Sequence, residues 1–277
     1  MTKIKKAIKQ LRKTIFYRTS HFWPDKMYLC ITYWLLMGGK LDLSNPKGFN
    51  EKLNWLKLYD RNPLFVRLAD KYEVKQFVAD VIGKEYVVPN LGVWDRIEDI
   101  DFDSLPNQFV IKGTHDSSGA TICRDKKSFD VQALAKKYEP IMNRNYFWMW
   151  REWPYKNIKP RVIADTFLDD HTAEGRSILL RDYKFWCFNG EPRYMYCTVK
   201  DKNIYENFYD GDFKPVDINH GFPRHKPEFE KPTDFEKIWK LAGTLAKASQ
   251  TAFVRVDFFM LKEGFILANS HSMIGQD

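Results

Sequence analysis

Three stretches of this sequence carry side chains suited to handling a polyanion. The first is Phe109-Val110-Ile111-Lys112-Gly113-Thr114-His115-Asp116-Ser117-Ser118-Gly119-Ala120-Thr121-Ile122-Cys123. A β-prone run ends in Lys112, a polar turn with Ser117, Ser118 and Gly119 follows, and a second β-prone run closes a hairpin. Loop N–H groups and small hydroxyls in such a turn converge on an anion, and the lysine adds a point charge beside it. No G-x-x-x-x-G-K-[ST] string occurs, so this is not a Walker loop. His115, polar and next to the turn, is a candidate substrate contact. The second stretch is Ile178 to Phe188, where strand alternation puts Asp182, Lys184 and Trp186 on one face. An acid and a base two apart can hold a ribose hydroxyl and a phosphate. The third is Phe253 to Met260, where Arg255 and Asp257 share a face and Val254, Val256 and Phe258 point the other way. Its hairpin partner, Phe265 to Asn269, places Leu267, Asn269 and His271 together. A carboxylate facing an Asn and a His, beside an arginine, can coordinate Mg²⁺ and triphosphate oxygens. An ordinary hairpin, a cross-strand ion pair and a structural Arg–Asp patch are the plainer readings of the same three stretches.

The elements that must position these residues follow from periodicity. From Asn45 the pattern is helical, with Phe49, Leu53 and Leu56 in one stripe that Trp55 and Leu58 widen. A second helix is expected from about Ala69 to Val81, burying Val74, Phe77, Val78 and Val81 and stopping at Gly83. Strand-like runs are expected at Tyr86–Pro89, Leu91–Trp94 and Arg161–Leu168, with a helix over Asp130–Tyr138 between the last two. Asn189-Gly190-Glu191-Pro192 turns the chain back into Arg193–Val199. Thr233 and Glu236 have capping-box spacing and open a helix to about Ser249.

Composition sets the frame. Apolar content of 44% in 277 residues supports a folded core of one large domain or two lobes. The net charge of +8 favours anionic partners without choosing among them. No RNP-like or helix-turn-helix signature accompanies that charge, so nucleic acid is not an expected partner. Cys30, Cys123, Cys187 and Cys197 lack CxxC spacing and read as reduced core residues of a cytoplasmic protein. Lys3, Lys5, Lys6, Lys9, Arg12, Lys13 and Arg18 alternate with Ile4, Ile8, Leu11 and Ile15 at helical spacing. That basic amphipathic helix would rest on an anionic membrane surface or pack, solvated, on the body. The apolar run Met27–Met37 is too short to span a bilayer and lacks a signal-peptidase site, so a soluble or peripheral protein is expected.

Read together, the motifs fall into one order. Asn45-Pro46-Lys47-Gly48-Phe49-Asn50-Glu51-Lys52-Leu53 and Ala69-Asp70-Lys71-Tyr72 come first. Leu105-Pro106-Asn107-Gln108-Phe109-Val110-Ile111-Lys112 and Glu152-Trp153-Pro154-Tyr155-Lys156-Asn157-Ile158-Lys159-Pro160-Arg161 follow. Asp182-Tyr183-Lys184-Phe185 and Phe253-Val254-Arg255-Val256-Asp257-Phe258 complete the set. From about Pro24 to Ala268 the chain resembles the TupA-like ATP-grasp proteins, often labelled glycosyltransferases in capsule and surface-polysaccharide gene clusters. The resemblance implies an α+β ATP-grasp fold over residues 45–277, two lobes of antiparallel sheet with ATP between them, preceded by a helical segment over 1–44. It also implies ATP and Mg²⁺ as cofactors and carboxylate–amine ligation through an acyl phosphate, with a carboxylate-bearing sugar and an amine as substrates.

Mapped residue by residue, the resemblance gives Lys112 the α/β-phosphates and the Ser117-Ser118-Gly119 loop the β/γ-phosphates. Asp165, Thr166 and Phe167 would edge the adenine, Asp182 would lie near the ribose and Lys184 near the phosphates. Arg255 would stabilise the transferred phosphoryl group and Asp257 would ligate Mg²⁺. The family pattern closes its last hairpin with Glu-x-Asn or Glu-x-Thr. Here Asn269 stands where the Glu belongs and His271 at the third position, and the family pattern runs on past Asp277. A neutral amide is a weaker ligand for a hard cation, so weakened catalysis is expected. Two other functions stay open: a glycosyltransferase, although no D-x-D string lies in a setting suited to a nucleotide-sugar metal, and a non-catalytic nucleotide-binding partner of a polysaccharide assembly complex.

Overall fold

A computed structural model of the chain describes residues 18–117, 119–168, 181–200, 203–261 and 264–267. It is an α+β structure with two separate antiparallel sheets. Four helices lead: α1 (Asp25–Met37), α2 (Phe49–Tyr59), α3 (Leu64–Ala69) and α4 (Glu73–Ile82). The first sheet has the order β1-β4-β2-β3, from β1 (Asn90–Trp94), β2 (Phe109–Gly113), β3 (Ala120–Cys123) and β4 (Val162–Thr166). Helices α5 (Val131–Met142) and α6 (Phe147–Trp150) lie between β3 and β4 in sequence. The second sheet has the order β10-β9-β5-β6-β7-β8. It comprises β5 (Arg181–Phe188), β6 (Glu191–Lys200), β7 (Ile204–Tyr209), β8 (Pro215–Val216), β9 (Phe253–Leu261) and β10 (Gly264–Leu267), with α7 (Phe235–Ser249) inserted before β9.

Each sheet has its own core. Phe109, Ile111, Val162 and Ala164 pack with Leu134 and Tyr138 of α5, and the Tyr138 hydroxyl donates to the Ile111 carbonyl at 2.8 Å. On the larger sheet Tyr183, Phe185, Cys187, Val254, Val256 and Phe258 face Ile238, Ala242 and Leu245 of α7. Strand alternation therefore turns Asp182, Lys184, Trp186, Arg255 and Asp257 to the opposite face. All four cysteines are free, three of them buried and Cys30 half-buried.

The structure corrects several local expectations. The helix expected over Ala69–Val81 is broken at Asp70–Tyr72, because Asp70 turns extended and its Oδ1 accepts from the amides of Tyr72 and Glu73. That side chain satisfies two amides at the start of α4. The strand at Tyr86–Pro89 is replaced by a 3₁₀ turn over Lys84–Tyr86 and a single bridge from Val87 to Leu267. Trp55 does not widen the buried stripe of α2 but lies exposed, its ring tilted against Tyr59 at 5.1 Å, while Lys57 is buried 3.8 Å from Glu152. The capping box does not form: Asp234 occupies the N-cap without a side-chain bond, and Lys231 takes the Glu236 carboxylate. Among the described residues no helix is long and apolar enough to cross a membrane. The expected basic helix at Lys3–Lys13, and Ser118, Asn269 and His271, lie outside the described residues.

The α1 segment is tied to the body by one arginine. Arg151, in the left-handed region at φ 56° and fully buried, donates to the carbonyls of Ser20, Trp23 and Trp148. It pairs with Asp25 at 2.7 Å and lies over the Tyr28 ring. The Tyr28 hydroxyl donates to the Met149 carbonyl from the same direction.

Candidate functional site

The smaller sheet carries a lysine cluster. Lys112 lies one residue before the end of β2, beside β4, and its Nζ lies 3.3 Å from Asp165 Oδ2. Lys75, projecting from α4, reaches the other oxygen at 3.1 Å and donates to the Val88 carbonyl. Asn90 also donates to Asp165, whose side chain is only 1% exposed. Lys71 is buried and clasps the hairpin loop twice: its amide donates to the Thr114 carbonyl, and its Nζ donates to the carbonyls of Gly113 and Asp116. Burial depresses the Lys71 pKa to about 8, and burial likewise lowers that of Lys75. Asp116 is paired with Arg144 at 2.9 Å. Two lysines, Lys75 and Lys112, thus share the one carboxylate of Asp165, and their excess positive charge favours an anion.

The loop above this cluster is polar and partly open. Ser117 is exposed and donates to the Tyr146 hydroxyl. Gly119 sits at φ +86° with nothing within 4 Å of where a Cβ would stand, so its glycine is required by the backbone conformation rather than by crowding. Thr166 ends β4 with its amide on the Pro89 carbonyl, and the Phe167 ring carries the Arg124 guanidinium at 5.0 Å. His115, expected to touch substrate, is buried and faces α5, with Nε2 2.9 Å from the Ile141 carbonyl. Burial lowers its pKa.

The larger sheet carries the second group. Register places Lys184 opposite Asp257 and Trp186 opposite Arg255 across β5 and β9, and Lys184 opposite Tyr196 across β6. Arg255 grips Asp257 with two bonds of 2.8 Å, from Nε and Nη2, and its Nη1 lies 3.4 Å from the Tyr196 hydroxyl. Lys184 pairs with Asp182 and lies over the Tyr196 ring. Burial pushes the Asp257 carboxyl up to about 6, and Asp182 adds to the rise, against the opposing pull of Arg255 and Lys184. Asp182 Oδ1 is buried without a hydrogen-bond partner, an acceptor still to be satisfied. The Tyr155 phenol is raised well above its ordinary pKa, first by burial and then by Glu152, and it lies within electrostatic reach of both Arg255 and Asp116.

The structure thus gathers the expected residues into two sets on two sheets: Lys112, Asp165, Thr166, Phe167, Ser117 and Gly119 on one, Asp182, Lys184, Arg255 and Asp257 on the other. Sequence reasoning assigned no role to Lys71, Lys75 or Tyr196. Lys71 and Lys75 are four apart, which puts them on one side of a helix start, but their partners, the Gly113 and Asp116 carbonyls for Lys71 and Asp165 for Lys75, come from distant segments. Of the three D-x-D strings, Asp99–Asp101, Asp101–Asp103 and Asp210–Asp212, the last two are turn formers: Asp101 Oδ1 accepts from the Asp103 amide, and Asp210 Oδ1 from those of Asp212 and Lys214.

No curated protein matches the sequence. Among solved structures, D-alanine–D-alanine ligase from Bacillus anthracis complexed with ATP is 16% identical, with a TM-score of 0.42, over 73% of this chain and 52% of that one. A second structure of that ligase gives 16% identity and a TM-score of 0.46, over 83% and 67%. The ATP-grasp ligase PsnB, complexed with a minimal precursor, gives 10% and 0.42, over 79% and 58%. The chain therefore spans little more than half the length of the first of these structures. The family described as TupA-like ATPgrasp matches residues 51–269, most of the sequence and all of both lysine- and arginine-bearing groups. The chain belongs to the TupA-like ATP-grasp family.

Proposed function

We propose that this protein is an ATP-dependent carboxylate–amine ligase acting in surface-polysaccharide assembly. One observation supports the chemistry most: a buried lysine cluster on one sheet is matched by an Arg–Asp, Lys–Asp constellation on the other. The polysaccharide setting rests on family membership alone.

In this reading Lys112 and Lys75 hold the nucleotide's phosphates, exchanging part of their contact with Asp165 for phosphate oxygens. The loop through Ser117 and Gly119 closes over the terminal phosphates. A carboxylate oxygen of the acceptor attacks the γ-phosphorus, the bond to the β-phosphate oxygen breaks, and ADP leaves. Arg255 and Lys184 neutralise the charge that gathers as two anions approach. An amine then attacks the acyl carbon and loses a proton, and inorganic phosphate departs from the new amide.

Mg²⁺ suits the oxygens present. Asp182 Oδ1 lacks a partner and Asp257 lies close enough to feel its charge. Mg²⁺ needs only one or two carboxylates beside phosphate oxygens and water. Asp257 can accept from Arg255 and still offer a lone pair. Asp182 and Asp257 would hold the ion, which would offset phosphate charge. Among the described residues there is no cluster of three acidic, His or Cys ligands, consistent with a site that phosphate must complete. The basic segment Lys3–Arg18 would draw the enzyme to anionic lipid where such an acceptor is assembled.

Calorimetric titration of ATP, with and without Mg²⁺, tests the reading on wild type and Lys112→Gln. Wild type is expected to bind ATP and the variant to lose at least tenfold in affinity while still melting cooperatively. Binding of a nucleotide sugar in place of ATP would overturn it in favour of glycosyl transfer.

A further inference from the structure

From Met27 to Met37 helix α1 carries no charge on any side, yet it lies at the surface. Its inner face, Tyr28, Leu29 and Thr32, is buried. The Arg151–Asp25 pair and the Tyr28 hydroxyl on the Met149 carbonyl hold that face to the body. Met27, Ile31, Trp34 and Met37, at i, i+4, i+7 and i+10, make up the opposite face. A stripe of this spacing ordinarily meets a core. Here Met27, Trp34 and Met37 are exposed, Trp34 by 61%, and Ile31 is only half-buried. Phe22, just before the helix, and Leu36 in its last turn are exposed as well. Grouped apolar exposure of this kind marks a surface that meets something.

The charge around this face says what it meets. Arg18, Lys26 and Lys40, which flank the stripe in sequence, are exposed. The acids of the same segment are already committed. Asp25 pairs with Arg151, Asp42 accepts from the amides of Ser44 and Asn45, and Glu51 accepts from those of Lys47 and Gly48. Ahead of the stripe, residues 1–17 add six lysines and arginines and no acid. A second copy of the chain seated on this face would press two such cationic segments together, which their repulsion opposes. An anionic lipid surface satisfies both properties: its headgroups take the cations, and the boundary with the acyl chains takes the apolar side chains. Tryptophan in particular favours that boundary. At 13 residues α1 is too short to cross a bilayer, so it would lie in the interface plane.

We propose that the outward face of α1 is a membrane-docking surface, lying flat on an anionic bilayer with Met27, Trp34 and Met37 in the headgroup–acyl boundary. Cations alone would attract the chain in any orientation. The apolar face fixes which side of the molecule meets the lipid, because its inner face is anchored to the body. That orientation has a consequence for the larger sheet. An aromatic cavity of about 610 Å³, with Phe49, Trp186 and Tyr196 in its wall, is lined at one edge by Leu36 and Met37 of α1. Met37 thus belongs to both surfaces, and docking would bring the cavity's edge beside the lipid. A reactant carried on a membrane lipid would reach the cavity without leaving the surface. Only this last use rests on the ligase reading; the docking stands on α1 and its charges.

The test is co-sedimentation of the full chain with vesicles of phosphatidylcholine, alone or with about one-third phosphatidylglycerol, with ATP calorimetry run in parallel. Wild type is expected to partition onto the anionic vesicles roughly tenfold more strongly than onto the neutral ones. The double variant Met27→Ser, Trp34→Ser removes apolar surface but no charge. It is expected to bind the anionic vesicles severalfold more weakly with its melting temperature unchanged. Undiminished binding by the variant would show that the cations act alone and would overturn the assignment to α1. Equal partition of wild type onto both vesicles, or onto neither, would overturn it too. A wild-type dimer that the variant dissolves would hand the face to a second copy, and a steep fall in the variant's melting temperature would show the face covered within the chain. ATP binding without vesicle binding would sink the docking proposal and leave the nucleotide reading standing. Vesicle binding that obeys the substitutions, with no ATP binding, would do the reverse.

Discussion

Replacing Asp165 by Asn probes the lysine cluster most sharply. The carboxylate is buried and shared by Lys75 at 3.1 Å and Lys112 at 3.3 Å. At an effective dielectric near 20, each contact carries about 5 kcal/mol of gross Coulomb attraction. Desolvation of the ions offsets much of that, so removing the shared charge should cost about 3–5 kcal/mol, the usual loss when a buried pair is broken from one side. For a chain of this size the melting temperature should fall by roughly 6–20 °C. Saturating ATP stabilises any protein that binds it in the native state, by about 2.7 kcal/mol at a hundredfold excess over Kd. In Asp165→Asn the phosphates also replace the missing negative charge, so ATP should recover more melting temperature than it adds to wild type. Differential scanning fluorimetry, with and without ATP, reads both effects. An unchanged melting temperature without ATP would refute the electrostatic account of the cluster. Equal protection of both proteins by ATP would refute the placement of phosphate at these lysines.

Other perturbations follow from the same geometry. Lys71 is depressed to about 8 from 10.5, chiefly by burial, which costs on the order of 3 kcal/mol of native stability. That cost is full below pH 8, where both states are protonated, and is relieved between pH 8 and 10.5, where the unfolded chain binds the extra proton. Denaturant titrations should therefore show wild type gaining on Lys71→Met as pH rises through this window; a pH-independent gap would contradict it. Arg151→Met should lose about 3–5 kcal/mol by stranding Asp25 and freeing the carbonyls of Ser20 and Trp23, and limited proteolysis should then cut first near residues 18–24. Tyr138→Phe should lose only about 1 kcal/mol, the net worth of its bond to Ile111, and a loss several times larger would show that the ring itself had moved.

Much of the site was legible because strands write their faces into the sequence. Period-two alternation put Asp182 with Lys184 and Arg255 with Asp257, and the structure keeps both pairs on one face of the larger sheet. The Lys112 hairpin was legible from its β-prone arms and polar turn. What escaped depended on distant partners. Lys71 and Lys75 read as part of a charged helix surface, and only the fold brings Asp165, Gly113 and Asp116 to them. The break at Asp70 escaped because apolar spacing runs on through it, whereas one side chain redirects the backbone. His115 looked available from its neighbours in sequence, yet the Ile141 carbonyl of α5 holds it inward. The aromatic cavity joins residues from α1, α2, β5, β6, β9 and the loop after β8, a meeting that no local pattern encodes.

The most direct test of the central claim is calorimetric titration of ATP into the wild-type chain, first without and then with Mg²⁺. The account predicts saturable binding of one ATP per chain, tightened by Mg²⁺ through Asp182 and Asp257. Absence of ATP binding under both conditions, from a protein that melts cooperatively, would contradict it.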